Sequence, residues 1–452
     1  MRRPGKKIGL LDHMGGGNLG DDATQTAVIL NIKRRWPDCE ICAFSMNPID
    51  TQSRHGILSY PIRAKLWALG DQSTPSRLGL RQRLKNAVRK YEIAYKLLRI
   101  FNYAFYELPR NLFHELSFLT KSFSILQTFD QLIISGGGQL LDQYGGPWGF
   151  PYTIAKWVLL AKLAQVECIV LNVGAGPLSH PLSKYFIKRA LSQSIYVSFR
   201  DMQSKTLIRE IGFSGEANVF PDCVYSLDVT AFGRTFDSNQ TEVTVGIGIM
   251  AYGDPRVYPE HDTTIYDRLI HNLDLLGSWL VTNKYRVSLF CTDIGVDPPA
   301  VKDLETRLRI SFDTSDLPYP DLPLAASIES NEDLFLSMTK MDYVVTCRFH
   351  GVIFAHMLNL PVLAISHHPK IVTLMNDLGL SEYCVDIRSC DIHVLTEKFK
   401  LLIRNGPSIK RHMAETLADN QRELSSQFNN LFPEDAPESI IKTESRLQAL
   451  YP

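Results

Sequence analysis

The chain has 452 residues, 45% hydrophobic and 21% charged, which describes a soluble globular protein long enough for two cores rather than one. Its 48 basic residues balance 48 acidic ones, so no global field draws it to nucleic acid or to an anionic membrane, and any polyanion must meet a local patch. Glycine at 28 and proline at 24 are close to average usage, which excludes collagen-like and low-complexity classes.

Met1 to Lys7 carries the charge of an export-signal n-region, but the apolar run behind it, Ile8 to Leu11, stops at Asp12 and His13. The most apolar later stretch, Trp157 to Val173, is interrupted by Lys162, Gln165 and Glu167 and falls short of the roughly 20 residues of a membrane span. A cytoplasmic location follows, at most at the inner face of the membrane. The eight cysteines, spread from Cys39 to Cys390, read as reduced core residues. Cys39 and Cys42 form a lone CxxC without the second pair or histidines that zinc needs, so no metal is expected.

In the first half, strands are predicted at Ile8 to Leu11, Glu40 to Phe44, Leu132 to Ser135, Cys168 to Val173, Tyr196 to Phe199 and Asn218 to Phe220. Amphipathic helices lie between them at Ala23 to Trp36, Tyr152 to Leu163, Pro181 to Gln193 and Ser204 to Ile211. Runs such as LIIS and CIVLNV lack polar alternation, as parallel strands covered on both faces do. Arg77 to Arg99 breaks the pattern with eight Lys or Arg against the single acid Glu92, and runs into Ile100, Phe101, Tyr103, Phe105 and Tyr106. This basic insertion, near 77–121, reads either as a solvated helical hairpin or, through 77–106, as a peripheral membrane contact or a grip on an anionic lipid-linked substrate.

After a polar stretch from Asp228 to Glu242 a second series begins. Its predicted strands are Val243 to Ile249, Arg286 to Phe290, Tyr343 to Thr346, Pro361 to Ile365 and Tyr383 to Val385. Its helices are Tyr266 to Thr282, Pro298 to Ser311, Asn331 to Met338, Lys370 to Leu378 and Leu395 to Arg404. The expected fold is α/β, two doubly wound Rossmann-like domains, 1–235 and 240–405, facing a cleft. Residues 406–452 form further helices that pack back across the first domain. Ligands of open parallel sheets sit beyond the carboxyl ends of the strands, so the cleft is the expected site.

Several motifs fall at those strand ends. The first strand runs into Gly15-Gly16-Gly17-Asn18-Leu19-Gly20-Asp21-Asp22, where glycines admit a close backbone approach and the helix start offers free N–H groups. Gly15, Gly17 and Gly20 fit a dinucleotide fingerprint, but Cys42 to Met46 lacks the ribose-binding acid. Asn18 and Asp21 either bind sugar hydroxyls or cap the helix. A second loop, Gly136-Gly137-Gly138, follows the strand LII, and two such loops on one sheet edge suggest a floor for a ligand. In the second half a strand runs directly into Arg348 and His350; if it is still extended there, both side chains face one way. Arginine binds carboxylate or phosphate bidentately and histidine moves protons near neutrality. Arg200 and Lys370 stand at two further strand ends, Arg200 within reach of Asp201 or Asp222 as a salt-bridge partner.

In order, GGGNLGDDA, ISGGGQLLD, VGAGPL, Arg200-Asp201, FPDCVYSL, CRFHG, ISHHPK and DLGL resemble the polysaccharide pyruvyl transferase family, and the likeness spans most of the chain apart from the basic insertion. The resemblance implies a glycosyltransferase-B-like fold and phosphoenolpyruvate as donor, placed on a sugar or glycan as a ketal with no metal or other cofactor. His350 then serves as general acid or handles the departing phosphate. Arg348 and Arg200 hold carboxylate and phosphate, Lys370 adds positive charge, and Asn18 and Asp21 position the acceptor, lipid-linked or free. Two alternatives stay open: a nucleotide-sugar glycosyltransferase of the same fold, using Glu329, Glu332 or Asp333 on the ribose, and a non-catalytic glycan-binding scaffold. A scaffold has no use for three converging ionisable groups.

Overall fold

Parallel strands need crossovers of a dozen or more residues, and this chain supplies a helix in nearly every one. The computed structural model describes residues 5–12, 15–64, 108–232, 242–257, 263–314, 325 and 327–433. The first sheet contains β1 (Lys7–Leu11), β2 (Glu40–Ser45), β3 (Leu58–Pro61), β4 (Gln131–Ser135), β5 (Glu167–Val173), β6 (Tyr196–Phe199) and β7 (Asn218–Val219). All pairs are parallel, in the order β3-β2-β1-β4-β5-β6-β7, so the winding reverses between β1 and β4. Its helices are α1 (Leu19–Arg35), α2 (Pro48–His55), α3 (Leu108–Leu126), α4 (Phe150–Leu163), α5 (Pro181–Leu191) and α6 (Met202–Glu210).

The second sheet contains β8 (Thr244–Gly248), β9 (Arg286–Phe290), β10 (Tyr343–Thr346), β11 (Val362–Ser366) and β12 (Cys384–Asp386), all parallel in the order β12-β11-β10-β8-β9. Its reversal falls between β8 and β10. The helices are α7 (Thr263–Thr282), α8 (Pro298–Thr314), α9 (Asn331–Met338), α10 (Phe349–Met357), α11 (Pro369–Asp377) and α12 (Ile392–Arg404), followed by the long α13 (Gly406–Leu431). Both glycine loops therefore flank the reversal point of the first sheet, and the Arg348-Phe349-His350 turn flanks that of the second.

Two elements are additions to the expected list. α2 and β3 lie where no element is predicted, because β3 is an edge strand with an exposed and half-buried pattern that hides its apolar signal. α1 begins at Leu19, four residues before the predicted start, since the Asn18 side chain accepts from the backbone N–H of Gly20 (3.0 Å) and Asp21 (3.4 Å). The basic aromatic segment 77–106 lies outside the described residues, and α3 covers the end of the 77–121 stretch.

Strand alternation assigns the two faces of the first sheet to two cores. Leu11, Leu132, Ile134 and Val170 face a cluster under α3 to α6, while Ile8, Leu10, Ile133 and Leu171 join a second cluster that continues through α1 into the whole second domain. α13 closes that shared core with buried Met413, Leu424 and Phe428, each worth about 1.5–3 kcal/mol on burial. It is stapled to the first sheet by Gln427, whose Nε2 donates to Asn172 Oδ1 (2.7 Å), Tyr196 Oη (2.9 Å) and Ser198 Oγ (3.1 Å), while its Oε1 accepts from Asn172 Nδ2 (2.9 Å). Arg35 reaches Asn429 in the same helix at 2.7 and 2.9 Å.

Gln427→Ala strands the buried Asn172 and Ser198 without those partners, and lost buried hydrogen bonds cost about 1–3 kcal/mol per group. Urea denaturation should show a loss of about 2–5 kcal/mol for this variant; a change below about 1 kcal/mol would mean that α13 is held by its apolar contacts alone.

Candidate active site

The two sheets meet through backbone. Leu19 N donates to Thr292 O and Ile294 N donates to Gly17 O, both at 2.9 Å, so that Asn18 and Asp293 pair as an antiparallel bridge across the cleft. Gly17, at φ +81°, could not carry a side chain: a Cβ would stand 2.8 Å from Gly295 N. A Cβ on Gly295 would overlap Gly16 O. The close approach expected of the first glycine loop is thus made to the other domain's loop. Asn18 spends its carboxamide oxygen on the α1 cap, and Asp21 lies within electrostatic reach of His350, Lys370 and Asp293.

The second glycine loop has a different task. Gly136 (φ +57°) packs where a Cβ would overlap the Thr24 methyl, and Gly137 (φ +62°) accepts from Gly174 N at 2.8 Å. Gly138 and Gly174 border the Arg200 guanidinium, a Cβ on each standing 3.8 Å from Nη2 and 2.8 Å from Nε respectively. Beneath lies a buried polar bed in which Asp12 accepts from Gln25 and, at 2.6 Å, from Gln139.

Arg200 extends from the end of β6, 5% exposed at its side chain, with Nη1 3.1 Å from Asp222 Oδ2 and its guanidinium over the Phe349 ring at 4.2 Å. The Lys370 ammonium approaches the same ring at 5.7 Å and has no carboxylate within 4 Å among the described residues. Arg200, Lys370, Phe349 and Asp222 share the wall of a cavity of about 230 Å³, which is also lined by Asp201, Asp377 and by Thr416, Asn420 and Glu423 of α13.

Arg348 is the N-cap residue of α10 and is still extended (φ −104°, ψ 139°), whereas His350 is already in the first helical turn. The two side chains separate accordingly. Arg348 makes a bidentate pair with fully buried Asp297 (2.6 and 2.8 Å) and reaches Asp293 at 3.4 Å. His350 packs onto α1, where a Cβ on Gly20 would overlap its ring, with Nε2 3.9 Å from Asp222 Oδ2.

Burial sets the protonation states. It pushes the His350 imidazole down to about 4, against the pull of Asp222 and Asp21, so that the ring is neutral at pH 7. His367 and His368 fall to about 3 and about 4 for the same first cause, helped by the Lys370 charge. Lys370 itself is lowered to about 8 by burial and by Arg200. Asp293 is pushed up to about 6 by burial, partly offset by Arg348, and its Oδ1 is buried without a hydrogen-bond partner. Asp222, Asp293 and Asp297 were not singled out as site residues from the sequence. Their signal is an acid within a few residues of a strand end, in FPDC and in TDIGVD. Among the described residues no group of three or more His, Cys, Asp or Glu is placed to hold a metal, and no helix is long and apolar enough to cross a membrane.

Comparison with known proteins bears on this geometry. A family model described as polysaccharide pyruvyl transferase matches residues 18–369. A search of curated proteins gives no match. Among solved structures, UDP-GlcNAc 2-epimerase from Neisseria meningitidis bound to UDP-GlcNAc is similar at TM-score 0.52 and 13% identity, over 94% of this chain and 99% of that one. A glycosyltransferase from Rickettsia africae ESF-5 follows at 0.51 and 10%, over 96% and 99%. Alr3699/HepE from Anabaena in complex with UDP has 0.50 and 12%, over 98% and 100%. At such identities the likeness shows the fold alone: two parallel-sheet α/β domains in a glycosyltransferase-B-like arrangement.

The buried imidazoles make stability depend on pH. His350 and the core His356, both lowered to about 4 by burial, take up protons in the unfolded chain first, so below about 6.5 the unfolded state gains and stability falls. Asp293, raised to about 6, acts in the opposite sense between 6 and its ordinary value, but it is one group against several. The unfolding free energy should therefore fall between pH 7 and 5, by up to about 1.4 kcal/mol per pH unit for each histidine that titrates only when unfolded, and the melting temperature should fall with it. His356→Gln should flatten the slope; an unchanged slope would mean that these rings are protonated in the folded protein.

Proposed function

Because the chain belongs to the polysaccharide pyruvyl transferase family and is a transferase, we propose that it moves the pyruvyl group of phosphoenolpyruvate onto a sugar of a glycan as a ketal, releasing phosphate. The observation that carries this reading is the small cavity walled by Arg200, Lys370 and Phe349. It offers Lys370 and the Asp222-paired Arg200 to a carboxylate and a phosphate on one short ligand, with Asp201, Asp377 and Glu423 also on its walls, and its volume of about 230 Å³ suits a three-carbon anion better than a nucleotide sugar. The nucleotide-sugar alternative loses a candidate ribose partner as well, since Asp333 Oδ2 is occupied by Ser330 N (3.0 Å), Ser330 Oγ (2.8 Å) and Glu329 N (3.1 Å) in the capping box of α9.

Transfer begins with a proton added to the enol methylene, which leaves an oxocarbenium-like C2 that an acceptor hydroxyl attacks, its O–H proton passing to a base as the C2–O bond forms. The C2–O bond to phosphate then breaks, phosphate leaves with the bonding pair, and a second hydroxyl closes the ketal while its proton passes to a base. Two groups suit the proton transfers. Asp293 holds its proton well above the ordinary carboxylate range and is the better general acid in the ligand-free state. His350, neutral at rest, becomes an acceptor of hydroxyl protons when a bound anion beside it raises its affinity for a proton. Arg348, aligned by Asp297, stabilises charge next to Asp293. Asp222 orients Arg200 and stands 3.9 Å from His350 Nε2. Acceptor and donor then meet at the paired loops of the two domains.

Phosphoenolpyruvate should raise the melting temperature and UDP at equal concentration should not. Arg200→Ala and Lys370→Ala should each weaken donor binding by about 10- to 100-fold, the worth of one charge-assisted contact. Stabilisation by UDP and not by phosphoenolpyruvate would favour the alternative donor. In phosphate-release assays Asp293→Asn should lose about 100-fold or more and with it the decline in kcat/KM as pH rises through about 6. An unaltered pH profile would remove Asp293 from the proton transfer.

A further inference from the structure

The loop that leaves β4 carries aromatic side chains for which the donor chemistry has no use. Tyr144 has its phenol within electrostatic reach of Arg348 and Asp293. Trp148, four residues on, is 65% exposed, and four residues of chain span at most about 14 Å. The loop between them is tightly closed: Gly145 and Gly146 adopt φ +80° and +56°, Gly149 N donates to Gly146 O at 3.1 Å, and a Cβ on Gly149 would overlap Tyr144 O. Its base is pinned by Asp142, which accepts from Ser179 N (2.9 Å) and His180 N (2.8 Å).

Trp148 is exposed yet braced. Tyr152 (5.5 Å) and Phe186 (6.0 Å) both meet its ring at 62°, and Tyr152 is tied in turn to Glu115 through its hydroxyl at 3.4 Å. A single exposed indole needs no explanation, but one held by two other rings, four residues along the chain from a second exposed aromatic within electrostatic reach of Arg348 and Asp293, marks a recognition surface. A pyranose ring suits it: one face of such a ring is a patch of C–H groups, electropositive at the hydrogens and matched to the negative face of an indole, while the hydroxyl rim stays in water. We infer that Trp148 and Tyr144 form a stacking platform for the acceptor glycan, receiving the pyranose next to the pyruvylated sugar and aiming the terminal residue at the cleft. This rests on the acceptor half of the function proposed above and is independent of the donor's identity.

The test uses the full chain, Trp148→Ala and Trp148→Phe, with a panel of di- and trisaccharides of galactose, glucose, mannose and N-acetylglucosamine as probes. Binding is read by saturation-transfer NMR and calorimetry, and phosphoenolpyruvate affinity is measured in parallel; circular dichroism checks the fold. Expected is saturation of ring C–H protons in the unmodified protein and an affinity loss of about 10-fold or more in Trp148→Ala. Trp148→Phe, which keeps a π face, should lose less, and donor affinity should not move. The inference is overturned if no saccharide of the panel binds the unmodified protein or if Trp148→Ala binds as well as it does. It is equally overturned if the variant instead loses adsorption to phosphatidylglycerol vesicles with saccharide binding intact. If the saccharide results hold while phosphoenolpyruvate fails to bind, the donor reading falls and the platform stands.

Discussion

The closeness of the two domains at their strand ends rests on a contact between bare backbones. Gly17 and Gly295 leave no side chain between the loop after β1 and the loop after β9, and two hydrogen bonds at 2.9 Å hold the edges together. A methyl group at either position would wedge the edges apart. His350 could then no longer lie on Gly20, nor would its ring stand within 4 Å of Asp222, which belongs to the first domain. The Arg200 guanidinium, also from the first domain, stacks on Phe349 of the second. The candidate site exists only in this closed register, because its charges come from both sides of the cleft.

Ion pairing within the site sorts the cations by role. Arg348 and Arg200 each face a buried carboxylate, Asp297 and Asp222, and such pairs add little net stability once desolvation is counted. What they supply is orientation: a bidentate carboxylate fixes the plane of a guanidinium, and the Phe349 ring fixes a second plane in contact with it. Lys370 differs in lacking such a partner, and its lowered proton affinity reflects the burial and the neighbouring Arg200 charge. It is the cation that gains most from an incoming anion, since no internal acid has to be displaced from it.

Periodicity made the alternation of strands and helices legible, and the chain order of motifs pointed to the cleft. Two kinds of information were not legible. β3 is a short edge strand, and its half-exposed residues carry no buried-strand signature. The glycine loops announced that backbone comes close to something, but a sequence does not distinguish a ligand from another loop; Gly17 meets Gly295, Gly136 meets Thr24, and Gly138 faces the Arg200 guanidinium of the candidate site. A shared direction for Arg348 and His350 requires a chain that stays extended through His350, and the helix begins at Phe349 instead. With Arg348 at the N-cap and His350 in the first turn, the arginine turns to Asp297 and the histidine to α1. Asp293 escaped notice because acids after strands are common, and its burial depends on the partner loop.

The charge balance of the site links anion binding to protons. Around the cleft, Arg200, Arg348 and Lys370 face Asp21, Asp222, Asp293 and Asp297, and the nearby imidazoles of His350, His367 and His368 are held neutral by burial. Three cations against four carboxylates do not form an anion hole as they stand. An anion with two charged ends entering such a site raises the proton affinity of every neighbouring acid and base, and Asp293 is the group whose resting state lies closest to the change, with His350 and His368 behind it. Proton uptake on donor binding is therefore the cheapest way for this site to become electropositive. It would also leave a proton on Asp293 or His350, where the proposed enol donor would need one.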